Sequence, residues 1–530
     1  MLSEQSCRNK KLFGGIALYR VLSDIAGMYK AKKKTQRLKT EKCFYHSLYL
    51  NIQEIKQSFS SSCDLTVHEM ELSGARAAVI SIDNMINKDI LSEAVIKPLY
   101  EYEFTGTPEQ IFDVLFSKVL YLTDISEINS FEKLYKMILS GFAVICIDGC
   151  DKMLAVGVQG YSSRSISEPE SDIVQRGSRE SFVEPMRTNM SMLRRRMKTP
   201  QLCFEIMTVG DISNTEICLC YLKNTVSPEI LNELRSRIKN TDLDTAFAAG
   251  YIVPYLEDKG NVSPFRSVGV TERPDTLCGK MKEGRIGILI DGVPSALVVP
   301  CLFAEYFQTM DDYSNRPFFA FFTRMLKFIA FFLSLLLPGF YTALGTFDPE
   351  MFPTLTLNKM AISIGNTPLS LTAETIMILL VYEIMRESGL RMPQPLGYAV
   401  SIVGGLVIGD TAINAGLIGA PTLMVVAITA ICSYIIPDLY APTAVLRIAF
   451  TLLGGLSGIW GIAALLCVVF IDLCSKISFG IPYMSPVTPF GVSVFRDVFF
   501  RAGWKTLSGK NEKVQNMPGA HTEAMTDAGN

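Results

Sequence analysis

Apolar and charged positions divide the 530-residue chain into two unlike halves. The first 315 residues carry charges throughout, with short apolar runs between them. From Pro395 to Ile471, by contrast, the only charged residues are Asp410, Asp438 and Arg447. Long stretches with so few charges are typical of membrane-spanning helices. We therefore predict a soluble α/β N-terminal half, made of two related subdomains, followed by an all-α polytopic membrane domain.

The predicted boundaries follow these changes in composition. They are a basic leader at 1–40, α/β subdomains at 41–160 and 161–315, a membrane domain at 316–480 and a cytosolic tail at 481–530. A chain of this length exceeds one ordinary hydrophobic core, which agrees with several domains.

Two hairpins of similar sequence support the repeat in the soluble half. A strand-like run that ends in Asp148-Gly149 recurs 143 residues later as a run that ends in Asp291-Gly292. Asp-Gly is typical of a tight hairpin turn, where glycine adopts positive φ without strain. A catalytic role for these aspartates is the weaker interpretation. The alternative to a repeat is chance similarity between two ordinary hairpins.

Four apolar segments of the second half approach the length needed to cross a bilayer, about 20 helical residues. These predicted spans are Phe328–Thr346, Leu396–Ile418, Pro421–Pro437 and Val445–Cys474. Basic residues flank the first and the last span, so the positive-inside rule predicts cytosolic termini and an even number of spans. Glycines four apart, such as Gly454 and Gly458, predict close helix packing.

One further segment, Leu371–Glu387, is helical in pattern but too polar to cross alone, so we predict a short helix in the interface or beside a cavity. Ionisable groups at membrane depth usually face protein or water, and a ring of carboxylates favours cations. Glu374 is the first candidate for such a cation path, followed by Glu383 and Asp410. Glu374 has no basic residue within a helical turn.

Glu383 and Glu387 have an alternative interpretation. Arg386 follows Glu383 by three residues, and Arg391 follows Glu387 by four. Side chains at these spacings often form ion pairs on the surface of a helix. These residues are therefore either part of the path or ordinary helix pairs.

Charge and residue usage exclude several classes of function. The net charge of −2 gives no general reason to bind nucleic acid. The leader carries ten Lys or Arg against two acids, and it is either mobile or attracted to anionic lipid. The thirteen cysteines include no CxxC pair, and the chain has three histidines. No P-loop or GxSxG motif occurs, so we predict no enzyme activity, no cofactor and no metal site.

Short motifs occur in a characteristic order along residues 44–500. The most specific is Thr271-Glu272-Arg273-Pro274-Asp275. The others are Arg164-x-Ile166-x-Glu168-Pro169, Arg176-Gly177-x-Arg179, Glu283-Gly284-Arg285, Ile290-Asp291-Gly292-x-Pro294, Glu383-x-x-Arg386-Glu387-x-Gly389-x-Arg391-x-Pro393, Gly404–Gly409 and Gly480-Ile481-Pro482-Tyr483. In this order they resemble the A-subunit family of spore germination receptors, the GerA-type spore germination proteins. Arg266, where the family usually has Pro, and Asp410, where it usually has Gln, depart from the pattern.

The resemblance implies an expected function. Such A subunits lie in the inner spore membrane with a transporter-like B subunit and a lipoprotein C subunit, and are thought to form a homo-oligomeric ring that conducts monovalent cations. A stage V sporulation paralogue that amplifies ion release shares most of these motifs and stays an alternative. A secondary solute transporter is a weaker one, because no pair of inverted repeats is evident.

The Thr271–Asp275 motif invites a catalytic interpretation, but a structural one is stronger. Glu272, Arg273 and Asp275 around Pro274 are expected to form a buried ion pair or a contact between subunits of the ring.

Overall fold

The computed structural model describes residues 42–72, 74–120, 122–160, 169, 172–258, 263–365, 367–392, 409–490, 497–499, 501 and 513–521. The predicted leader, the motif residues Arg164, Ile166 and Glu168, and residues 396–408 of the second predicted span lie outside the described residues. The described chain forms two compact units. One comprises the residues up to Ile55 and Thr66–Gly160, and the other comprises Lys56–Leu65 and the residues after 160.

The first unit is built on a five-stranded sheet of order β1-β2-β4-β5-β3. The elements in this part of the chain are α1 (Leu48–Ser58), β1 (Leu65–Leu72), β2 (Ala75–Ile82), α2 (Lys88–Leu91), a π-helical turn (Ser92–Ile96), α3 (Lys97–Glu101), α4 (Pro108–Val114), a second π-helical turn (Leu115–Val119), β3 (Ile125–Ile128), α5 (Phe131–Ile138), β4 (Phe142–Ile147) and β5 (Met153–Gly157). Every residue of β4 is buried. Its continuous run of apolar residues therefore fits a central strand covered on both faces.

The second unit contains a sheet with the equivalent order, β6-β7-β9-β10-β8. Its sheet region consists of α6 (Met186–Arg196), β6 (Leu202–Val209), β7 (Thr215–Leu222), α7 (Pro228–Lys239), α8 (Ala249–Leu256), β8 (Gly269–Thr271), α9 (Pro274–Lys282), β9 (Ile286–Ile290) and β10 (Ala296–Val299). In both sheets the central hairpin is antiparallel. Two sheet subdomains with the same strand order agree with the predicted repeat.

A helical region follows the second sheet. It comprises a 3-10 turn (Phe303–Phe307), α10 (Met310–Ser314), α11 (Pro317–Thr346), a 3-10 turn (Pro349–Met351), α12 (Thr354–Gly365), α13 (Leu371–Arg391), α14 (Gly409–Asn414), α15 (Ala420–Ser433), a 3-10 turn (Pro437–Leu439) and α16 (Tyr440–Ser475). Among the described residues, two helices are long and apolar enough to cross a bilayer, Pro317–Thr346 and Pro437–Ser475. α13 has 21 residues, so it is longer than the short helix predicted from its sequence.

α16 consists of two helices that fold back on each other. Gly458 interrupts it with a non-helical φ of 63° and ψ of −149°. A Cβ atom added to Gly461 would lie 2.6 Å from the carbonyl oxygen of Leu453, although eight residues of straight helix would separate them by about 12 Å. The segment Val445–Cys474, predicted as one span, is therefore divided at Gly458 into two helical arms. A break within a uniformly apolar helix does not change the pattern of apolar and polar positions, so the sequence gives no signal for it.

We call the end of the helical region that contacts the second sheet subdomain the near end, and the opposite end the far end. At the far end, Gly458 approaches Phe347, just after α11. Deeper in the bundle, a Cβ on Gly454 would lie 2.5 Å from the carbonyl oxygen of Gly339. The absence of a side chain at Gly454 thus lets α11 and α16 approach closely, as small residues do between membrane helices.

The chain returns to the second sheet subdomain after α16. The short strands β11 (Ile477–Ser478) and β12 (Ile481–Pro482) pair there, and a 3-10 turn (Val514–Asn516) follows. Val514 is fully buried in the apolar core of the second sheet subdomain. Its N–H donates to the carbonyl oxygen of Glu283 at 2.7 Å.

Candidate functional site

Glu374 lies in the first turn of α13, at the far end, and its side chain is fully buried. Its Oε1 accepts a hydrogen bond from the backbone N–H of Gly419 at 2.7 Å. The hydroxyl of Thr367 donates to Oε2 over a longer distance, 3.4 Å. Gly419 is the N-cap residue of α15, so the carboxylate lies at the positive end of that helix dipole. No basic side chain among the described residues forms an ion pair with Glu374.

Further polar groups surround the N-terminus of α15. The hydroxyl groups of Tyr341 and Thr422 lie 3.1 Å apart, and both side chains are buried. Tyr341 comes from α11 and Thr422 from α15. The far end therefore combines one buried acidic residue, Glu374, with several hydroxyl groups.

Glu383 lies near the other end of α13 and has partners of its own. The hydroxyl of Tyr440 lies 2.8 Å from each carboxylate oxygen, and the Nε of Arg386 donates to Oε2 at 3.2 Å. The guanidinium of Arg386 also lies over the ring of Tyr440, 4.0 Å from its centroid. Glu387 pairs with Arg391 at 2.7 Å in an exposed position. The helix pairs considered from the sequence are thus present in this conformation.

The three candidate path residues do not come together. Glu374 and Glu383 are nine residues apart on one helix, about 13 Å along its axis and on opposite faces. Asp410 is exposed in the first turn of the short helix α14. Of the three, only Glu374 is fully buried.

Arg447 is an isolated charge in the sequence, and its surroundings become evident only in the structure. It lies in α16 and is 1% exposed. Its three guanidinium nitrogens make no hydrogen bond to the described residues. The Oε1 of Glu383 lies 4.0 Å from its Nη1.

The Thr271–Asp275 motif forms the junction between β8 and α9. Arg273, 1% exposed, donates from Nε and Nη2 to the carboxylate of Asp275 at 3.1 and 2.7 Å. Pro274 is the first residue of α9, a position where proline loses no helical hydrogen bond. The backbone carbonyl oxygen of Glu272 accepts from the N–H of Phe182 at 2.8 Å. Each of these contacts is structural.

Asp172 lies beside this motif and is half-buried. The hydroxyl of Thr271 donates to its Oδ2 at 2.7 Å. Burial raises the pKa of Asp172, although the bond from Thr271 and the charge of Arg273 act in the opposite direction.

Asp291 and Gly292 form the turn between β9 and β10. Gly292 has a φ of +82°, which a tight hairpin turn requires. The Oδ1 of Asp291 accepts a hydrogen bond from the N–H of Met186, at the start of α6. This contact attaches the turn to the start of α6.

Two buried ion-pair networks went unnoticed in the sequence. In the first, the Nε of Arg285 donates to Glu305 at 3.0 Å, and Lys280 also pairs with Glu305. Burial alone would raise the pKa of Glu305, but Arg285 and Lys280 outweigh it and hold that pKa below its ordinary value.

The second network lies at the near end and joins the first part of α11 to α10 and to Asp497. Arg324, fully buried, donates to Asp312 at 2.8 Å and to the carboxylate of Asp497 at 2.9 Å. The hydroxyl of Tyr313 donates to the other oxygen of Asp497, also at 2.9 Å. By sequence, Arg324 is only a charge that flanks an apolar segment, because its partner Asp497 lies 173 residues away.

The end of α16 is also attached to the second sheet subdomain. Lys476, 4% exposed, donates to the backbone carbonyl oxygen of Phe265. The hydroxyl of Ser263 donates to Asp472 at 2.6 Å. Among the described residues, no group of three or more His, Cys, Asp or Glu side chains is arranged to hold a metal ion.

Comparison with known proteins identifies relatives along most of the chain. Residues 53–513 match the family described as "Bacillus/Clostridium GerA spore germination protein". "Spore germination protein KA" of Bacillus subtilis (strain 168) is 36% identical over 473 residues, 88% of this chain and 87% of that protein. "Uncharacterized membrane protein YfkQ" of the same organism is 30% identical over 486 residues, 91% of this chain and 94% of that protein.

A solved structure is also similar in sequence. It is the crystal structure of the N-terminal domain of the A subunit of the Bacillus megaterium spore germinant receptor GerK3, 26% identical to this chain. The match covers 50% of this chain and 99% of that one, with a TM-score of 0.38.

Proposed function

The chain belongs to the GerA family of spore germination proteins, and from this premise we propose that it is the membrane-embedded A subunit of a nutrient germinant receptor. In this proposal it lies in the inner spore membrane with a transporter-like B subunit and a lipoprotein C subunit. Copies of the chain assemble into a ring, and the ring provides a path for monovalent cations. Both termini face the cytosol.

The surfaces of the two longest helices support insertion into a bilayer. In α11, only 33% of the most apolar stretch of 18 residues is buried. In Pro437–Ser475, the share is 22%. The core helix of a soluble protein would instead bury most of such a stretch. Arg386 and Arg391 at the near end agree with a cytosolic location of that end.

The buried carboxylate of Glu374 is the observation that carries the cation path. Its partners are a backbone N–H and a hydroxyl group. A helix N-terminus supplies about half a positive charge, so an ionised carboxylate would be only partly balanced in an apolar bundle. Such a group is costly unless a cation balances it. One copy of Glu374 in each subunit of a ring would present several carboxylates to a permeating cation.

Glu374→Gln tests this proposal in purified spores of a strain that carries the full receptor. The amide oxygen of glutamine still accepts from Gly419, so the fold should be retained while the charge is lost. We expect potassium release after nutrient addition to slow by about tenfold or more. Glu109→Gln is the matched control, because Glu109 is exposed on α4 of the first sheet subdomain, outside the helical region. Unchanged release from Glu374→Gln spores, with normal amounts of protein in the membrane, would remove the cation path.

A clean deletion of the gene tests the receptor assignment separately. We expect loss of potassium release after one class of nutrient and normal release after the others. Slower release after every nutrient, with a normal onset, would overturn the receptor assignment in favour of the paralogue that amplifies a signal begun elsewhere.

A further inference from the structure

Arg447 carries a positive charge deep in the helical bundle. It follows Tyr440, the first residue of α16, by seven residues, which places it about 10 Å from the near end of that helix. Its side chain is 1% exposed, and its guanidinium nitrogens make no hydrogen bond to the described residues. A guanidinium group stays protonated at any accessible pH, so burial cannot neutralise it. The positive charge of Arg447 is therefore retained, and it raises the electrostatic potential around the side chain.

Glu383 is the acidic residue within reach of Arg447. The shortest distance between them, 4.0 Å, joins Nη1 to Oε1. Glu383 already accepts from Tyr440 and Arg386, and both of its oxygens are in use. One carboxylate is thus shared by two guanidinium groups. Arg386 also lies 3.8 Å from Glu387, which pairs with Arg391. The cluster formed by these two acidic and three basic side chains, Arg447 included, consequently carries a net charge of about +1 at neutral pH.

This positive cluster contrasts with the partly unbalanced carboxylate at the far end. Glu374 attracts cations, whereas the near-end cluster repels them. At an effective dielectric constant of about 20, a charge of +1 lowers the occupancy of a monovalent cation about 12 Å away by roughly tenfold. Potassium leaving the spore core would meet the near end first.

We propose that Arg447 is a specificity-determining residue, which supplies the excess positive charge that limits entry of cations at the near end. This inference rests on the cation path proposed above. It adds a second element to that path, since Glu374 favours cations while the net charge around Glu383 sets how readily they enter. Arg447 acts here through its charge and not through a particular hydrogen bond.

Four forms of the full-length chain, purified and reconstituted into liposomes, test this inference. The cluster carries a charge of about +1 in the wild type, zero in Arg447→Gln, +2 in Glu383→Gln and +1 again in the double variant. We expect the permeability ratio of K⁺ to Cl⁻, measured from reversal potentials, to rise by about tenfold in Arg447→Gln. It should fall by a similar factor in Glu383→Gln and return towards the wild-type value in the double variant.

The two single variants are expected to change the permeability ratio in opposite directions, and this result distinguishes the inference from a merely structural role. Removing either partner of a structural ion pair disrupts the same contact, so both single variants would then change the ratio in the same direction or leave it unchanged. Either result would overturn the inference. Arg447→Lys should keep the wild-type ratio because it keeps the charge. Arg76→Gln is the control for an exposed charge outside the cluster, because Arg76 lies on β2 of the first sheet subdomain.

Failure of the inference and failure of the proposed function give different results. Wild-type liposomes without cation flux would count against the path itself. Wild-type flux without the expected order of ratios would overturn only the role of Arg447. If Arg447→Gln does not fold, the comparison of Glu383→Gln with the wild type still tests the effect of one added positive charge. An unchanged permeability ratio in Glu383→Gln would then overturn the inference.

Discussion

The carboxylate of Asp291 accepts a hydrogen bond at 3.0 Å from the backbone N–H of Met186, 105 residues earlier in the chain. In the first sheet subdomain, the carboxylate of Asp148 does the same for Leu48 at 2.7 Å. Each aspartate comes from the turn of the central hairpin, and each partner is the first residue of the helix that precedes the sheet. The Asp-Gly pairs are therefore repeated structural elements that attach a helix to a turn.

Asp291→Ala should destabilise the protein by about 1 kcal/mol, the usual loss when a helix N-terminus loses its side-chain acceptor. The N-cap residue of α6 is Pro185, whose side chain has no acceptor to replace it. Thermal unfolding of the full-length protein in detergent measures the change. Asp291→Asn keeps an acceptor oxygen and should lose much less, and Asp148→Ala should match Asp291→Ala. Equal stability of the alanine and asparagine variants would contradict the capping role.

Gly458→Ala should destabilise the helical region by about 1–3 kcal/mol. A φ of 63° with a ψ of −149° belongs to a region that is almost restricted to glycine. Gly279→Ala in α9 is the control, because a Cβ there meets no atom within 4 Å and alanine favours a helix. Thermal unfolding in detergent should show that Gly458→Ala is less stable than the wild type and that Gly279→Ala is more stable. If Gly458→Ala is as stable as the wild type, α16 is not held in the folded-back conformation.

The pKa of Glu305 predicts a loss of stability in acid. Because Arg285 and Lys280 hold this pKa below its ordinary value, the stabilisation is complete above the unfolded pKa of about 4.3. It is lost as pH falls from there through the folded pKa. Unfolding measured from about pH 7 to pH 3 should show this slope in the wild type, and Glu305→Gln should reduce it.

Asp172 provides a control of opposite sign. Burial raises its pKa, so the folded state binds its proton more tightly than the unfolded state. Stability contributed by the protonated form is lost as pH rises from about 3.9 through the folded pKa. Asp172→Asn should therefore steepen the loss of stability in acid. The same slope in both variants and the wild type would show that neither group governs the acid response.

Local patterns made the repeat of the soluble half predictable. The hairpins with Asp148 and Asp291 combine apolar strands with a turn that only a few residue pairs allow, and both signals lie within twenty residues. The partners of those aspartates were not predictable, since a backbone N–H at Leu48 or Met186 has no signature in the sequence.

The helical region was less predictable for related reasons. Glu374 stood out because no basic residue lies within a helical turn, but its hydrogen bond to Gly419 spans 45 residues and uses a backbone N–H. The fold-back at Gly458 lies in a stretch where nearly every residue is apolar, so its two halves look like one. Arg447 was evident as an isolated charge, yet only the tertiary fold brings it beside Glu383.

Two hydrogen bonds attach the end of α16 to the second sheet subdomain: Lys476 donates to the carbonyl oxygen of Phe265, and Ser263 donates to Asp472. A displacement of that subdomain is therefore passed directly to the second arm of α16. This arm, from Gly458 to Ser475, is about 26 Å long. A small rotation at its base would consequently become a larger sideways movement at Gly458.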